Sequence, residues 1–270
     1  MDEKQLIENL KQEHQTKNQE GYPSETVTLP SKGYFYSEEH PFATGEVELK
    51  YPTAREEDIL TSKNLITKGL AIDTFLKAVI LTPVDYDSIF LGDKNGIMFA
   101  SRILAYGTDY PVKLKCPSCQ EQISLNIDLS NLSAKEIDFE KYLKGISEFE
   151  VDLPNSKKRI KYKILTSGDE SALTEEIKRT KKKIAGSGDA EVTTRLKYAI
   201  ISIDGDTSRA NVAKFVDSML SRDSLFLRGE IVNTSPDIES IFDFVCPECG
   251  HSDELNVPME ISFFWPSGKL

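Results

Sequence analysis

Cysteine is scarce in this 270-residue chain, with only four, and tryptophan occurs once. Histidine is nearly as rare; His14, His40 and His251 have no partner at ligand or helical spacing. Long apolar runs are missing too. "AVIL" (78–81) and "AIISI" (199–203) fall far short of the roughly 20 residues that span a bilayer. Positive charge is in deficit, with Lys+Arg 33 against Asp+Glu 44 and a net charge of −11. An acidic balance argues against general binding to nucleic acid or an anionic membrane surface. The N-terminal "MDEKQLIENLKQEHQ" is polar and lacks a signal-peptide pattern. A reducing cytoplasm is therefore expected, where structural disulfides are disfavoured. No phosphate loop, G-x-S-x-G elbow or H-E-x-x-H motif occurs. "GDKNG" (92–96) and "SIDGDTS" (202–208) resemble pieces of calcium loops, but they lack the full ligand pattern and read as turn and cap chemistry. "GSGD" (186–189) follows a helical pattern and reads as a break. "KRTKKK" (178–183) has Glu170, Glu175 and Glu176 nearby and reads as a solvated helix face.

What is present is patterned. Residues 1–22 form an acidic arm, a weak amphipathic helix or a solvated tail. Gly33 and Gly45 punctuate two extended pieces, and Val47 and Leu49 alternate with Glu46, Glu48 and Lys50. Thr53 followed by Glu56 is a capping box opening a helix, and helical spacing continues through Phe75, Leu76 and Val79. A second helix is expected at about 94–106, closed by Gly107. Phe149, Val151 and Leu153, a turn at "PNSKK", then Ile160, Tyr162 and Ile164 give a hairpin. Helical patterns fill most of 168–235, with "VTTRLKYAIISIDG" either a helix or a buried segment. Both cysteine regions, 110–130 and 241–266, read as strand, knuckle, strand. Phe263, Phe264 and Trp265 in "ISFFWPSGKL" have two readings, an exposed interaction anchor or a buried pin for the C-terminus.

The cysteines form two pairs of identical C-P-x-C spacing, Cys116 with Cys119 and Cys246 with Cys249. A C-x-x-C turn presents two thiolates on one side of a tight loop, and two such turns supply the tetrahedral donor set of zinc at about 2.3 Å. The alternative, a redox dithiol, ordinarily opens a helix, and neither pair precedes a helical pattern. Four thiolates leave no position for water, so the expected Zn2+ is structural, one per chain, with His251 on the surface. Between Cys119 and Cys246 lie 126 residues, so the ribbon is split around an insertion. The fold class is α+β, with four parts: an acidic arm at 1–22, an N-terminal strand and helix domain at 23–109, a split zinc ribbon at 110–130 and 240–266, and an inserted hairpin and helical subdomain at 131–239.

The segments "LPSKGYFY", "GEVELKYPTAREEDILTSKNLITKG", "LGDKNGIMFASRILAYG", "CPSC", "VDLPNSKKRIKYKILTSGDE", "CPECG" and "FFWPS" occur in this order. Together, from about Thr26 to Pro266, they resemble the baseplate hub assembly family of T-even-type contractile-tailed bacteriophages. The resemblance implies a protein that builds the hub at the end of a phage tail, as a hub subunit or an assembly factor, with other baseplate and hub proteins as partners. It implies no catalytic residue; with the acidic balance and the short apolar runs, no nucleic acid, no membrane and no small-molecule substrate is expected as a partner. Its expected place is the host cytoplasm during assembly and the virion tail baseplate. A competing class, a zinc-ribbon nucleic-acid-binding or regulatory protein, is opposed by the acidic residues around the knuckles, since phosphate contacts need a basic face.

Overall fold

Alternation along residues 46–50 predicts one buried and one exposed face. The computed structural model, which describes residues 21–183, 191–259 and 261–264, bears this out for 46–49, whereas Lys50, expected on the exposed face, is buried in an ion pair with Glu56. Strand β2 (Glu46–Lys50) buries Val47 and Leu49 and exposes Glu46 and Glu48, pairing antiparallel with β1 (Ser24–Thr28). Helix α1 (Ala54–Thr61) starts at the predicted capping box: the Thr53 side chain accepts the Arg55 N–H, and Glu56 accepts the Thr53 N–H at 2.9 Å. Helices α2 (Lys63–Lys68) and α3 (Ala71–Val79) follow, and α3 buries Phe75, Leu76 and Val79.

Helix α4 (Leu91–Tyr106) is the axis of this half. Its first turn holds "GDKNG", which is no calcium loop. Asp93 is fully buried and accepts the Ser31 N–H at 2.8 Å and the Ser31 hydroxyl at 2.7 Å. The two glycines let other segments approach closely. A Cβ at Gly92 would stand 1.6 Å from the Pro236 carbonyl oxygen, and one at Gly96 2.6 Å from the Pro30 ring. "LPSKGYFY" and "LGDKNG" are therefore two sides of one packed junction.

The cysteine hairpins come next. Strand β3 (Asp109–Lys115) pairs antiparallel with β4 (Gln122–Asp128). The chain then leaves on its long excursion and comes back to its own start. Strand β5 (Ser133–Ala134) pairs with β9 (Ile238–Glu239), and the Lys135 N–H donates to the Asp237 carbonyl at 2.9 Å. Between them, β6 (Glu148–Asp152), β7 (Arg159–Lys163) and β8 (Ile200–Ile203) form an antiparallel sheet. Helices α5 (Ser167–Lys183), α6 (Glu191–Ala199), α7 (Arg209–Asp217) and α8 (Ser221–Thr234) complete the excursion. Leu153, Ile160, Tyr162, Leu196, Ile200 and Leu227 form its own core. "AIISI" thus divides, Ala199 ending a helix and Ile200–Ile203 forming a strand. The start of α5 is sewn to the N-terminal half, with the Ser167 N–H on the Ile89 carbonyl at 2.8 Å and Lys94 paired to Glu170 at 2.9 Å. On the exposed face of α5, Arg179 pairs with Glu175.

Strand β10 (Ile241–Val245) pairs with β11 (Ser252–Asn256). The strand expected to continue toward the C-terminus stops there, and a single helical turn, α9 (Ile261–Phe264), follows. The reason is packing: Phe263 and Phe264 are both buried in the large N-terminal core, which a strand of alternating faces would not allow. Phe263 meets Phe99 and Tyr110 edge to face, and Phe264 meets Phe75. Arg102, 1 % exposed, fastens this segment: its guanidinium donates to the carbonyls of Phe263 (2.7 Å), Gly107 and Asp109 (3.1 Å each). Of the two readings of the aromatic C-terminus, the buried pin holds for Phe263 and Phe264. Most of the acidic arm, "GSGD" and Trp265 lie outside the described residues. No described helix is long and apolar enough to cross a membrane.

Candidate metal centre

Each knuckle is a six-residue connection between paired strands, fixed by Lys115↔Gln122 in one hairpin and Val245↔Ser252 in the other. Their backbones repeat one scheme. The Cys116 N–H donates to the Glu121 carbonyl and the Gln120 N–H to the Cys116 carbonyl, both at 3.0 Å. In the second knuckle the Cys246 N–H donates to the His251 carbonyl (2.8 Å) and the Gly250 N–H to the Cys246 carbonyl (2.9 Å). The residue after the second cysteine takes a positive φ in both, 63° at Gln120 and 72° at Gly250. Glycine adopts this freely; glutamine is strained there, and its side chain ties back to the Pro117 carbonyl at 2.9 Å. The pattern that makes "CPECG" an obvious knuckle is thus kept in "CPSCQ" despite the weaker residue.

The structure brings together all four expected cysteines. Cys116 Sγ lies 3.8 Å from Cys249 Sγ, and Cys119 Sγ lies 3.8 Å from Cys246 Sγ. All four sulfurs are within 4.8 Å of one another. Sulfurs at the corners of a tetrahedron about 2.3 Å from its centre stand about 3.8 Å apart. The donor set and its spacing therefore fit a tetrahedral metal ion, and the cysteines are free thiols rather than disulfides. Phe244 and Ile123 floor the site with apolar surface, and Cys116 and Cys246 are buried against them.

Electrostatics of the bare cluster point the same way. Burial works to raise the Cys116 thiol, but N–H groups of Cys119 and Ser118 and the neighbouring sulfurs outweigh it and bring it down to about 6. Cys119 is pushed up to about 12: the Glu121 N–H favours its thiolate, but burial and the other three sulfurs prevail. Adjacent thiolates repel, so the cluster ionises one sulfur readily and resists the next; a cation at its centre removes that conflict.

His251 is not drawn in. Its ring stands 3.7 Å from the Asp253 carboxylate, and it serves the knuckle through its carbonyl. Around the site, Glu121, Asp243, Glu248, Asp253 and Glu254 are exposed against Lys113 and Lys115. Sequence reasoning missed Arg102 and the Ser31–Asp93 junction, whose partners are 161 and 62 residues apart along the chain.

Among curated proteins and among solved structures nothing matches the chain. The model of one protein family, described as T4 bacteriophage base plate protein, matches residues 23–265. That span takes in the N-terminal half, both knuckles and the excursion between them, and the chain belongs to this family of phage baseplate proteins.

Proposed function

We propose that this protein is a non-enzymatic hub component or assembly factor of a contractile phage tail, with one structural zinc held by Cys116, Cys119, Cys246 and Cys249. The observation that carries the reading is the convergence of four thiols, from two distant knuckles, at tetrahedral spacing within a baseplate-family chain. Protein fills every coordination position, so the metal has no site for water or substrate and acts as a clasp. The divisions expected from the sequence, with the ribbon at 110–130 and 240–266 and the inserted subdomain at 131–239, are the parts this clasp would organise. Its partners are other baseplate and hub proteins, met during assembly in the host cytoplasm and, for a hub component, kept in the tail. Two measurements test this. Elemental analysis of protein purified without chelator should give about one zinc per chain; a metal-free protein would remove the clasp. Quantitative mass spectrometry of purified virions should find the chain at a fixed ratio to other tail proteins if it is a hub component. Its absence would leave only the assembly role, and an unimpaired tail in a phage lacking it would overturn both.

A further inference from the structure

The edge of a sheet is a row of unpaired backbone donors and acceptors, which proteins usually blunt. In the second hairpin the Val257 N–H donates to the Ser240 carbonyl and the Cys246 N–H to the His251 carbonyl, both at 2.8 Å. Hydrogen-bonded and non-hydrogen-bonded pairs alternate along an antiparallel ladder. Phe242 and Phe244 therefore bond to β11, while Ile241, Asp243 and Val245 turn their N–H and C=O groups outward. Among the described residues nothing pairs with these outward groups. The other edges of the two hairpins are blunted. By the same alternation Pro111 stands at an outward position of β3, where it offers no N–H. Strand β4 carries only polar residues there, Gln122, Ser124, Asn126 and Asp128. On β11 the outward Glu254 N–H is already taken by the Asp253 carboxylate at 2.9 Å. Strand β10 differs, since Ile241 and Val245 are 50 % and 64 % exposed. Between them Asp243 stands directly opposite Glu254, and among the described residues neither carboxylate has a cation. Like charges across such a pair repel.

We propose that the outer edge of β10 receives an extended segment of a partner protein, added to the hairpin as a third antiparallel strand. The edge specifies what it takes. The partner residues opposite Ile241 and Val245 are apolar and β-branched, and the one opposite Asp243 is lysine or arginine, whose charge answers both carboxylates. Backbone bonds to the outward groups supply the attachment, and the apolar, basic, apolar alternation supplies the selectivity. A second copy of this chain fits poorly. The antiparallel register that overlaps all three residues sets Asp243 against Asp243 about the two-fold axis. This edge follows from the ladder of the hairpin, independent of the hub reading and of a bound metal.

A synthetic peptide with lysine between two valines, and threonine at the alternate positions, tests this on the purified full chain. At about millimolar peptide the amides of Ile241, Asp243 and Val245 should exchange at least about 5-fold slower, read residue by residue by NMR, while those of Ser252 and Glu254 on the far edge are unchanged. Asp243→Lys should weaken binding about 5-fold or more. A peptide with glutamate in place of lysine should recover binding to that variant, a reciprocity that loss of folding cannot imitate. Asp243→Pro gives β10 what Pro111 gives β3. It should remove the peptide's protection of Ile241 and Val245 while Phe242 and Phe244 stay bonded to β11. Three results overturn the proposal: outward amides that the peptide leaves unprotected, binding indifferent to both substitutions of Asp243, or outward amides already protected without peptide in step with dimer mass, which would mean that a second copy covers the edge.

Discussion

Replacing Lys50 by Met should cost this protein about 3–5 kcal/mol at pH 7, the usual consequence of removing one partner from a buried ion pair. Lys50 Nζ and Glu56 Oε1 are 2.7 Å apart, with side chains 3 % and 2 % exposed. The other Glu56 oxygen accepts the N–H and hydroxyl of Thr53 at 2.9 and 2.7 Å. Burial works to raise the Glu56 carboxyl, but the Lys50 and Thr53 hydrogen bonds outweigh it and hold it below the ordinary value. A depressed carboxyl adds stability above its unfolded pKa, about 4.3, and loses it as pH falls through the folded value. Without Lys50 the carboxylate keeps only neutral donors, and its folded pKa must rise. The deficit of the variant should therefore shrink as pH is lowered from 7 toward 4, because a neutral Glu56 needs no cation. Lys50→Met with Glu56→Gln should regain most of the loss, ending within about 1.5 kcal/mol of the natural chain, since both charges then go together. Urea unfolding of the three proteins at pH 7 and pH 4.5 measures all of this. A single variant costing under about 1 kcal/mol, or a double variant as unstable as the single one, would refute the reasoning.

Gly92→Ala should cost about 3 kcal/mol or more, because its methyl meets the Pro236 backbone, while Gly229→Ala, facing open space in α8, should be neutral or stabilising by about 0.5–1 kcal/mol; thermal unfolding compares them. Burial, with the Asp237 charge adding, pushes the Asp93 carboxyl up to about 6 against the Ser31 and Tyr36 hydrogen bonds. Its stabilising contribution is then full below about pH 4 and lost as pH rises through 6, so Asp93→Asn should gain on the natural chain between about pH 4 and 6. A difference that stays constant across that range would contradict the assignment. Chelation, or Cys249→Ser, should release hydrogen-exchange protection at residues 114–123 and 244–253 and spare β2, α4 and β7; uniform loss across the chain would show that the clasp holds up the entire fold.

Local chemistry was legible in the sequence and long-range convergence was not. Thr53 and Glu56 announce a helix start because both bonds of a capping box close within four residues. The hairpins beside each cysteine pair are equally local, and their alternation carries through to Ile123 and Phe244 under the sulfurs. "AIISI" was ambiguous because a short buried run has no period to separate strand from helix. "ISFF" misled because β-branched and aromatic residues suit a strand, whereas two consecutive phenylalanines must both enter the core here. Nothing near Arg102 in sequence says that a carbonyl 161 residues away needs its proton. The four cysteines were the exception, since identical spacing labels two distant turns as partners.

The excursion between the knuckles is closed twice, and the two closures differ in kind. Ser133↔Glu239 and Ala134↔Ile238 bring its ends together with backbone bonds, and Gly92 against Pro236 and Asn95 on Asp237 lock that junction to α4. The base of each hairpin is held as well, with Tyr110, Ile127 and Val257 in the large core. A metal is therefore not needed to return the chain to its starting point. What remains free is the far end of each hairpin, about 20 Å from its base at roughly 3.3 Å per residue. Only a small apolar floor lies there, too little to align two separate two-stranded sheets by itself. The sulfur cluster sits at that end. With the proposed metal bound, it would fix the angle between the hairpins and with it the outer faces they present, where Ile241 and Val245 are exposed. A clasp at the tip rather than the base is what the proposed scaffold role asks for, since that role rests on surfaces held at set angles.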